Sequence, residues 1–394
     1  MQIRLWAILA SLLVGGCVSA PPPPPARGAW VRVAFDARGV RAVEAGGVAD
    51  PATGRRVTAD DPVRVASISK LAVAMGVMRL VEAGTLDLDS DVSRWLGWRL
   101  RNPAYPDTPI TLRLLLSHRS SLTDGIDYVL PLGATLQGAL ADPRAWDGAH
   151  APGSWFRYTN LNFPVIASIM EKATGERFDL LMKRLVFQPL DLDACMNWST
   201  CSDSAIARAV TLTNAEARVL RDNLGGLRPA CPVLVPANGD CALADYSLGA
   251  NGALFSPQGG MRISAKGLAR IGQLFLDGGE GFLTPASLAT LIGPDWVYDG
   301  TNGVTGEDAD DGFLCTYGLA LQTLATQRKG CRDDPFGDKA RRIGHAGSAY
   351  GLRSGLWVDR KAKRGVAYFV TAVPDDEKGR RSAFTAAEEW LARP

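Results

Sequence analysis

The stretch RVASISKLAVAMGVMRLVEAGTL, from Arg64 to Leu86, places Ser67 three residues before Lys70 at the start of an apolar segment. Apolar residues recur at helical spacing from Leu71 to Val81, and Gly84 follows them. This pattern predicts a buried helix with Ser67 in or near its first turn. Residues three apart share one face of a helix, so Lys70 is expected beside the serine hydroxyl.

A serine and a lysine in this arrangement can form a nucleophile and its base. The first turn of a helix has free N–H groups and the positive end of the helix dipole, which favour a developing anion. An apolar environment lowers the pKa of a lysine amine, and a neutral amine can take the serine proton. We therefore predict Ser67 as a nucleophile activated by Lys70. The spacing alone is a weak signal, so a helix-capping serine followed by a surface lysine stays open as the alternative.

Two further motifs follow in the chain. Tyr158-Thr159-Asn160 precedes another apolar helix, and His345-Ala346-Gly347 stands just before a predicted strand. S-x-x-K, Y-x-N and H-x-G in this order resemble the serine β-lactamase and penicillin-recognising superfamily. The variant is similar to the class C β-lactamases and their relatives, which include family VIII carboxylesterases, D-stereospecific aminopeptidases and DD-carboxypeptidases. LVEAGTLDLDSDVSRWL, ITLRLLLSHRSSL, FQPLDL and SPQGGMRISAKGLARIGQLFLDGG also resemble family segments, so the likeness covers about residues 30–390.

The resemblance implies a role for each motif residue in a covalent mechanism. Ser67 would form an acyl-enzyme, and Lys70 would orient and help deprotonate it. Tyr158 would pass the proton to the leaving group and activate the deacylating water, although a plain core tyrosine is the alternative. Asn160 would bind Lys70 or a substrate amide, or only stabilise a turn. The resemblance implies no metal and no organic cofactor.

The H-x-G motif is expected to contribute to substrate binding and to the oxyanion hole. The hole would be formed by the backbone N–H groups of Ser67 and of Ser348, which follows Gly347. Many penicillin-directed members carry lysine where this chain has His345, and histidine is mostly neutral at pH 7. Losing a fixed cation favours esters and amides that lack an obligatory carboxylate.

These residues predict an exported serine hydrolase of the Ser-Lys-Tyr type, acting on ester or amide substrates, with D-amino-acid peptides among the candidates. The first alternative is a DD-carboxypeptidase or β-lactamase acting on peptidoglycan peptides or β-lactams. The second is a non-catalytic, peptidoglycan-binding lipoprotein.

Three other positions invite a functional interpretation. His118 lies at a family-like helix end, where a structural hydrogen bond is favoured over catalysis. Ser121 stands where relatives usually carry glycine, so the local turn is expected to differ. His150 is expected on the solvated surface. The acidic run Glu307 to Gly312 lacks the spaced ligands of a calcium loop.

The two ends of the chain predict one antiparallel sheet. WVRVAFDARGVRAVEAGGVAD, from Trp30, and SGLWVDRKAKRGVAYFVTAV, from Ser354, each read as two strands, and SAFTAAEEWLAR as a closing helix. Mostly helical signals lie between them. We predict an α/β (α+β) fold of the β-lactamase/DD-peptidase type over residues 29–394. An α/β lobe would take about 29–85 and 310–394, an all-helical insert about 86–309, and the active site the cleft between them. The predicted helices are Leu71 to Ala83, Leu112 to Ser117, Leu161 to Thr174, Arg177 to Leu185 and Ala265 to Leu276.

The N-terminus predicts export. Residues 1–16 have the shape of a signal peptide, and VGGC resembles a bacterial lipobox that makes Cys17 a lipid-bearing anchor. Residues 17–28 include PPPPPAR, a stiff linker between membrane and folded body. The alternative is an ordinary signal peptide cut near SAP. Valine after Cys17 favours the outer membrane in lipoproteins of this type, so a lipid-anchored periplasmic protein is expected.

Cysteine usage also favours an oxidising compartment. Seven cysteines minus Cys17 leave three close pairs. We predict the sequential disulfides Cys195–Cys201, Cys231–Cys241 and Cys315–Cys331, because each closes a short polar segment, although sequence alone allows other connectivities. Metal binding is disfavoured, since no C-x-x-C occurs.

Composition narrows the partners. With 394 residues, 46% of them hydrophobic, the chain can bury a large core. Its net charge is only +2. It shows no basic block, which argues against nucleic acid as a partner. A small-molecule substrate and a membrane are the expected partners, and the sequence does not fix the oligomeric state.

Overall fold

The computed structural model describes residues 28–237, 239–279, 281–306 and 312–393. The predicted signal peptide, Cys17, the linker before Gly28 and most of the acidic run Glu307 to Gly312 lie outside the described residues. Within the described residues, no helix is long and apolar enough to cross a membrane.

The secondary structure alternates short strands and helices between two strand-rich ends. The strands are β1 (Trp30–Asp36), β2 (Gly39–Gly46), β3 (Val48–Asp50), β4 (Arg55–Arg56), β5 (Val63–Arg64), β6 (Cys195–Met196), β7 (Leu212–Thr213), β8 (Val219–Arg221), β9 (Met261–Ile263), β10 (Trp296–Val297), β11 (Thr316–Tyr317), β12 (Gln322–Leu324), β13 (Arg342–Ala349), β14 (Leu352–Asp359) and β15 (Arg364–Val370). The α-helices are α1 (Ile68–Glu82), α2 (Ser93–Leu96), α3 (Leu112–Leu116), α4 (Leu136–Ala139), α5 (Asn162–Thr174), α6 (Phe178–Met182), α7 (Asp203–Ala207), α8 (Ala265–Leu276), α9 (Pro285–Ile292) and α10 (Ala386–Leu391). Short 3₁₀ turns occupy Pro143–Ala145 and Leu243–Asp245, and a π-helical turn, Lys183–Phe187, extends α6.

An eight-stranded antiparallel sheet carries the fold, in the order β10-β11-β12-β13-β14-β15-β1-β2. Within it β1 pairs with β15, from Trp30 opposite Val370 to Asp36 opposite Arg364. The first and last strands of the folded body are therefore neighbours. This confirms the predicted β-lactamase/DD-peptidase architecture, with an antiparallel sheet built from both ends of the chain.

Helices cover both faces of this sheet. Helix α8 packs on β1, β14 and β15, and α10 packs on β14 and β15 from the other side. The approach of α8 is close, since a Cβ at Gly272 would lie 2.3 Å from the ring of Phe35. Helix α10 begins with a capping box in which Thr385 and Glu388 exchange hydrogen bonds.

The structure differs from the predicted boundary between lobe and insert. The prediction returns the chain to the sheet near residue 310, whereas α8 packs on the sheet and β10 pairs in it before that point. Helical periodicity identified α8 but carried no information about which surface it covers. The remaining helical region packs around α5, which contacts α2, α3 and α6.

A second, three-stranded sheet, β5-β9-β6, anchors the chain just before the serine–lysine motif. Val63 pairs with Ile263 and Arg64 with Arg262. The three predicted disulfides are confirmed: Cys195–Cys201 closes a loop beside β6, Cys231–Cys241 an outer loop, and Cys315–Cys331 joins the sheet to the loop before β13.

Candidate active site

Ser67 occupies a tight turn between β5 and α1. It is the N-cap residue of α1, yet its side chain makes no capping hydrogen bond. The preceding Ala66 has a φ of 47°, a left-handed conformation that costs a non-glycine residue energy. The turn is held in place because the Val65 N–H donates to Met261 O (3.1 Å) and the Ser354 hydroxyl donates to Val65 O (3.0 Å). The hydroxyl of Ser67 is therefore not used for capping.

Lys70 is fully buried one turn into α1. Its Nζ lies 3.0 Å from Ser67 Oγ, 2.8 Å from Asn160 Oδ1 and 2.7 Å from Gln258 O. The structure thus brings Ser67, Lys70 and Asn160 together, and it excludes the alternative of a surface lysine. Gln258, in the loop before β9, was not singled out from the sequence, because a backbone acceptor has no residue-type signature.

Asp124 orients Asn160, and sequence reasoning missed it. Its carboxylate accepts hydrogen bonds from Asn160 N (2.8 Å), Asn160 Nδ2 (3.0 Å) and Leu161 N (2.9 Å). Because Nδ2 is bound to Asp124, the amide presents Oδ1 to Lys70. Helix α5 begins without a capping side chain of its own, so a distant acceptor at its N-terminus was to be expected, but not its position.

Tyr158 lies in the extended segment just before α5. The centre of its ring is 4.9 Å from Lys70 Nζ, and Tyr158 lines the same cavity as Ser67. The ring stacks on His118 with a centroid separation of 4.3 Å. The Y-x-N segment is therefore adjacent to the serine and the lysine.

The H-x-G motif lies inside strand β13 rather than before a strand, which corrects the sequence expectation. Gly347 faces the nucleophile turn so closely that a Cβ would be 2.3 Å from Val65 O and 3.3 Å from Ser67 N. Only glycine allows this approach. It brings the next residue, Ser348, which is exposed, to the wall of the Ser67 cavity.

His345 is buried and neutral. Burial, and secondarily the charge of Lys70, lowers the pKa of His345 to about 3. Its Nδ1 lies 2.6 Å from Ala346 O and its Nε2 lies 2.8 Å from Tyr317 Oη. Both ring nitrogens are thus engaged within the protein, although the residue lines the cavity.

His118 is also fully buried. Burial, followed by the charges of Lys70 and His345, holds the pKa of His118 well below its usual value. Its Nδ1 accepts a hydrogen bond from Thr159 N (3.0 Å), and its Nε2 lies 3.2 Å from Tyr317 Oη. The predicted structural hydrogen bond is present, and it reaches into the site.

The cavity at Ser67 has a volume of about 550 Å³ and a mixed wall. Phe313 and Leu314 supply apolar surface. Charged groups of both signs come from Arg332, Arg353, Lys378, Asp375, Glu377 and Glu388. The cavity can therefore accept an acyl group and a polar leaving group at the serine.

The model of the beta-lactamase family matches residues 28–389. The chain belongs to the beta-lactamase family. Among curated relatives of this family, Esterase EstB from Burkholderia gladioli is 34% identical over 168 residues, which cover 38% of this chain and 42% of EstB. The D-alanyl-D-alanine-carboxypeptidase/endopeptidase AmpH from Escherichia coli (strain K12) is 30% identical over 151 residues, 36% of this chain and 38% of AmpH. The matched stretches thus span about two fifths of each relative.

Solved structures agree on the beta-lactamase fold. EstCE1, described as a hydrolase with promiscuous acyltransferase activity, aligns with a TM-score of 0.65 and 22% identity over 92% of this chain and 93% of that one. In the described part of the chain, no group of three or more His, Cys, Asp or Glu side chains is arranged to hold a metal ion.

Two other predicted positions lie away from the cavity. Ser121 has a left-handed φ of 66°, a conformation that favours glycine, and Asn102 Nδ2 donates to its Oγ (3.0 Å). His150 is partly exposed, bonds Asp147 through Nδ1 (2.9 Å) and stacks on Trp155.

Proposed function

We propose that this protein is a serine hydrolase that forms a covalent acyl-enzyme on Ser67 with ester or amide substrates. The observation that carries the proposal is the 3.0 Å contact between Ser67 Oγ and the buried Nζ of Lys70. A hydroxyl is a weak nucleophile unless a nearby base accepts its proton. A buried amine held by Asn160 and Gln258 is poised to do so.

The proposed reaction has two halves. In acylation, Ser67 Oγ attacks the substrate carbonyl carbon while its proton passes to Lys70 or Tyr158. The tetrahedral oxyanion would accept hydrogen bonds from the N–H groups of Ser67 and Ser348. Tyr158 would then protonate the leaving alcohol or amine as its bond to carbon breaks. In deacylation a water molecule attacks the acyl carbon and gives a proton to Tyr158. The bond between that carbon and Ser67 Oγ then breaks, the acid product leaves, and Oγ regains its proton from Lys70 or Tyr158.

The proposed substrate class follows from the charge of the site. A neutral, internally bonded His345 offers no permanent cation to a substrate carboxylate. This favours simple esters and amides, including amides of D-amino acids, over β-lactams. The similarity to the protein named Esterase EstB supports the same choice.

A DD-carboxypeptidase or β-lactamase is the second candidate. The cavity contains Arg332 and Arg353, whose guanidinium groups suit a carboxylate, and the relative AmpH is named as a carboxypeptidase. A non-catalytic peptidoglycan-binding protein is disfavoured, because a binding module does not need a lysine buried against a serine.

One experiment tests the proposed function and separates these candidates. The purified protein is incubated with short acyl esters, D-amino-acid amides and β-lactams, and intact mass reports acylation while product release reports turnover. A separate sample is treated with a fluorophosphonate. We expect a covalent fluorophosphonate adduct on Ser67 and faster turnover of short esters than of any β-lactam. Ser67→Ala should abolish both, whereas Ser154→Ala, an exposed serine, should change neither. Labelling retained in Ser67→Ala would refute the nucleophile, and preferred cephalosporin turnover would favour the second candidate.

We also propose export to the periplasm with a lipid on Cys17, anchored in the outer membrane. The three disulfides support an oxidising compartment. Incorporation of labelled palmitate that is lost in Cys17→Ala would support the anchor. Recovery of unlabelled wild-type protein in the soluble fraction would contradict it.

A further inference from the structure

Three buried side chains form one continuous chain of hydrogen bonds across the site. His118 Nε2 lies 3.2 Å from Tyr317 Oη, which lies 2.8 Å from His345 Nε2. At one end Thr159 N donates to His118 Nδ1 (3.0 Å), and at the other His345 Nδ1 contacts Ala346 O (2.6 Å). The chain therefore joins the backbone of the Y-x-N segment to the backbone of the H-x-G strand.

The direction of these hydrogen bonds follows from the two ends. A backbone N–H only donates, so His118 Nδ1 is an acceptor and the ring proton is on Nε2. A carbonyl only accepts, so His345 Nδ1 carries the proton and its Nε2 is an acceptor. Tyr317 must then accept from His118 and donate to His345. Each end thus fixes the tautomer of its own ring, and the single hydroxyl of Tyr317 satisfies both rings.

A second contact supports the tautomer of His118. Asn162 Nδ2 lies 3.2 Å from His118 Nδ1, and its amide oxygen accepts from the hydroxyl of Ser120. The amide orientation that satisfies Ser120 thus points a donor at Nδ1. Protonation of Nδ1 would place a third N–H against these two donors.

The charged and titratable groups that face the two rings include one cation, whose charge opposes protonation of both imidazoles. Lys70 faces both imidazoles, Tyr158 stacks on His118 and lies 6.2 Å from the ring of His345, and Tyr317 lies between them. Within the described residues, no carboxylate is among the charges that act on either ring. A proton added to His345 Nε2 would also leave the Tyr317 hydroxyl without an acceptor.

We propose that His118 and Tyr317 are positioning residues that hold His345 as a neutral Nδ1–H imidazole. This hydrogen-bond chain fixes the position of the strand that carries Ala346, Gly347 and Ser348 relative to the segment that carries Tyr158. His345 then positions the strand and does not bind the substrate, because it contributes neither a charge nor a free hydrogen-bond donor to the cavity. The inference rests on the proposed function only for its kinetic consequence.

The tautomers can be observed directly in the unmodified protein. The protein contains only three histidines, so the ¹⁵N spectra of ¹⁵N-histidine-labelled protein are simple. The His150→Gln variant identifies the signals of His150 and leaves those of His118 and His345. We expect His118 as the Nε2–H tautomer and His345 as the Nδ1–H tautomer, with neither signal titrating between about pH 5 and pH 8. The opposite tautomer at either ring, or an imidazolium at neutral pH, overturns the proposal.

Tyr317→Phe removes the hydroxyl in the middle of the hydrogen-bond chain, between His118 and His345. We expect the His345 signals to become a tautomer mixture or to titrate above about pH 5, because the donor to Nε2 is lost. With the preferred ester, kcat should fall about tenfold while KM changes less than about twofold, since the groups moved act on the reacting atoms. Tyr298→Phe is the matched control, because Tyr298 packs against the same aromatic cluster as Tyr317 but is not one of the three hydrogen-bonded side chains.

The proposed function and the positioning role can be refuted separately. If no ester or amide is turned over, the proposed function is lost while the spectra still decide the hydrogen-bond chain. If Tyr317→Phe leaves both the His345 spectrum and kcat at the level of Tyr298→Phe, the positioning role is wrong even in an active enzyme.

Discussion

At the scale of single residues, the site depends on the position of one amine. Lys70 was predicted beside Ser67 from helical spacing alone, and the 3.0 Å contact agrees with that geometry. The contact with Asn160 Oδ1 was implied only by the family resemblance, and the contact with Gln258 O was not predicted, because both acceptors come from loops distant in sequence. The three-residue spacing of Ser67 and Lys70 can be read from the local sequence, whereas the other acceptors of Nζ are set by the tertiary structure.

Replacing Lys70 tests whether the amine acts as a base. Lys70→Met keeps the length of the side chain but cannot accept a proton, and Lys70→Arg keeps a charge that cannot be given up. Both should slow acylation of Ser67 by about 10²–10⁴-fold, the usual contribution of a positioned base. The rate of fluorophosphonate labelling measures this, with circular dichroism as the check on folding. Lys266→Met, a surface lysine paired with Asp60, should label at the wild-type rate. Fast labelling of Lys70→Met would show that another group activates the serine.

His345 shows what the residue type reveals and what it does not. The sequence indicated a neutral histidine where penicillin-directed relatives carry lysine, and burial does lower its pKa to about 3. It gave no hint that Tyr317 occupies the other side of the ring. Tyr317 lies in the two-residue strand β11, where neither periodicity nor motif marks a functional position.

At the scale of elements, long patterned segments were predictable and short pairings were not. The strands at both ends, α5 and α8 carry strong periodicity or capping signals, and the structure contains them near the predicted bounds. Strand β10 has two residues and gains its stability from tertiary pairing with β11, so its sequence carries no usable pattern.

The start of α5 couples helix stability to the geometry of the site. Asp124 accepts hydrogen bonds from the two backbone N–H groups just before the helix and fixes the amide of Asn160. Asp124→Ala should lower the free energy of unfolding by about 1 kcal/mol, the usual cost of a lost cap, and should also lower kcat about tenfold because Asn160 can rotate. Urea unfolding and ester turnover measure the two effects. Asp127→Ala, which removes a local loop contact to Val129 N, should lower kcat little. Loss of stability with unchanged kcat would show that Asp124 is a cap only.

At the scale of the whole molecule, the site lies where the two ends of the chain and the region between them meet. β5 pairs with β9 just before the nucleophile, and Gly347 of the main sheet closes on the same turn. The family resemblance predicted this architecture. The sequence alone did not reveal that α8 packs on the main sheet and that β10 pairs in it, because tertiary packing rather than the local sequence pattern places these two elements.

Burying two neutral histidines couples the stability of the whole fold to pH. The folded pKa of His118 and of His345 lies below the usual value of 6.5, so below about pH 6.5 the unfolded chain binds protons that the folded chain does not. Their contribution is complete above about pH 7 and is lost as the pH falls below about 6.5, in the case of His345 until its folded pKa of about 3 is reached, at up to about 1.4 kcal/mol per pH unit for each ring. The wild type should therefore lose stability between pH 7 and pH 5.

His345→Gln isolates one of these contributions without requiring activity. Glutamine cannot take up a proton in the unfolded chain, so the difference in unfolding free energy between about pH 7 and pH 5 should be smaller than in the wild type by roughly 1–2 kcal/mol. Urea unfolding at the two pH values measures it, and contributions from carboxylates cancel because they are common to both proteins. Ile343→Val, a buried change in the same strand, lowers stability equally at both pH values and controls for general destabilisation. An unchanged pH dependence in His345→Gln would mean that His345 binds its proton equally well in the folded and unfolded chains. The buried ring could not then be held neutral by Tyr317 and Ala346.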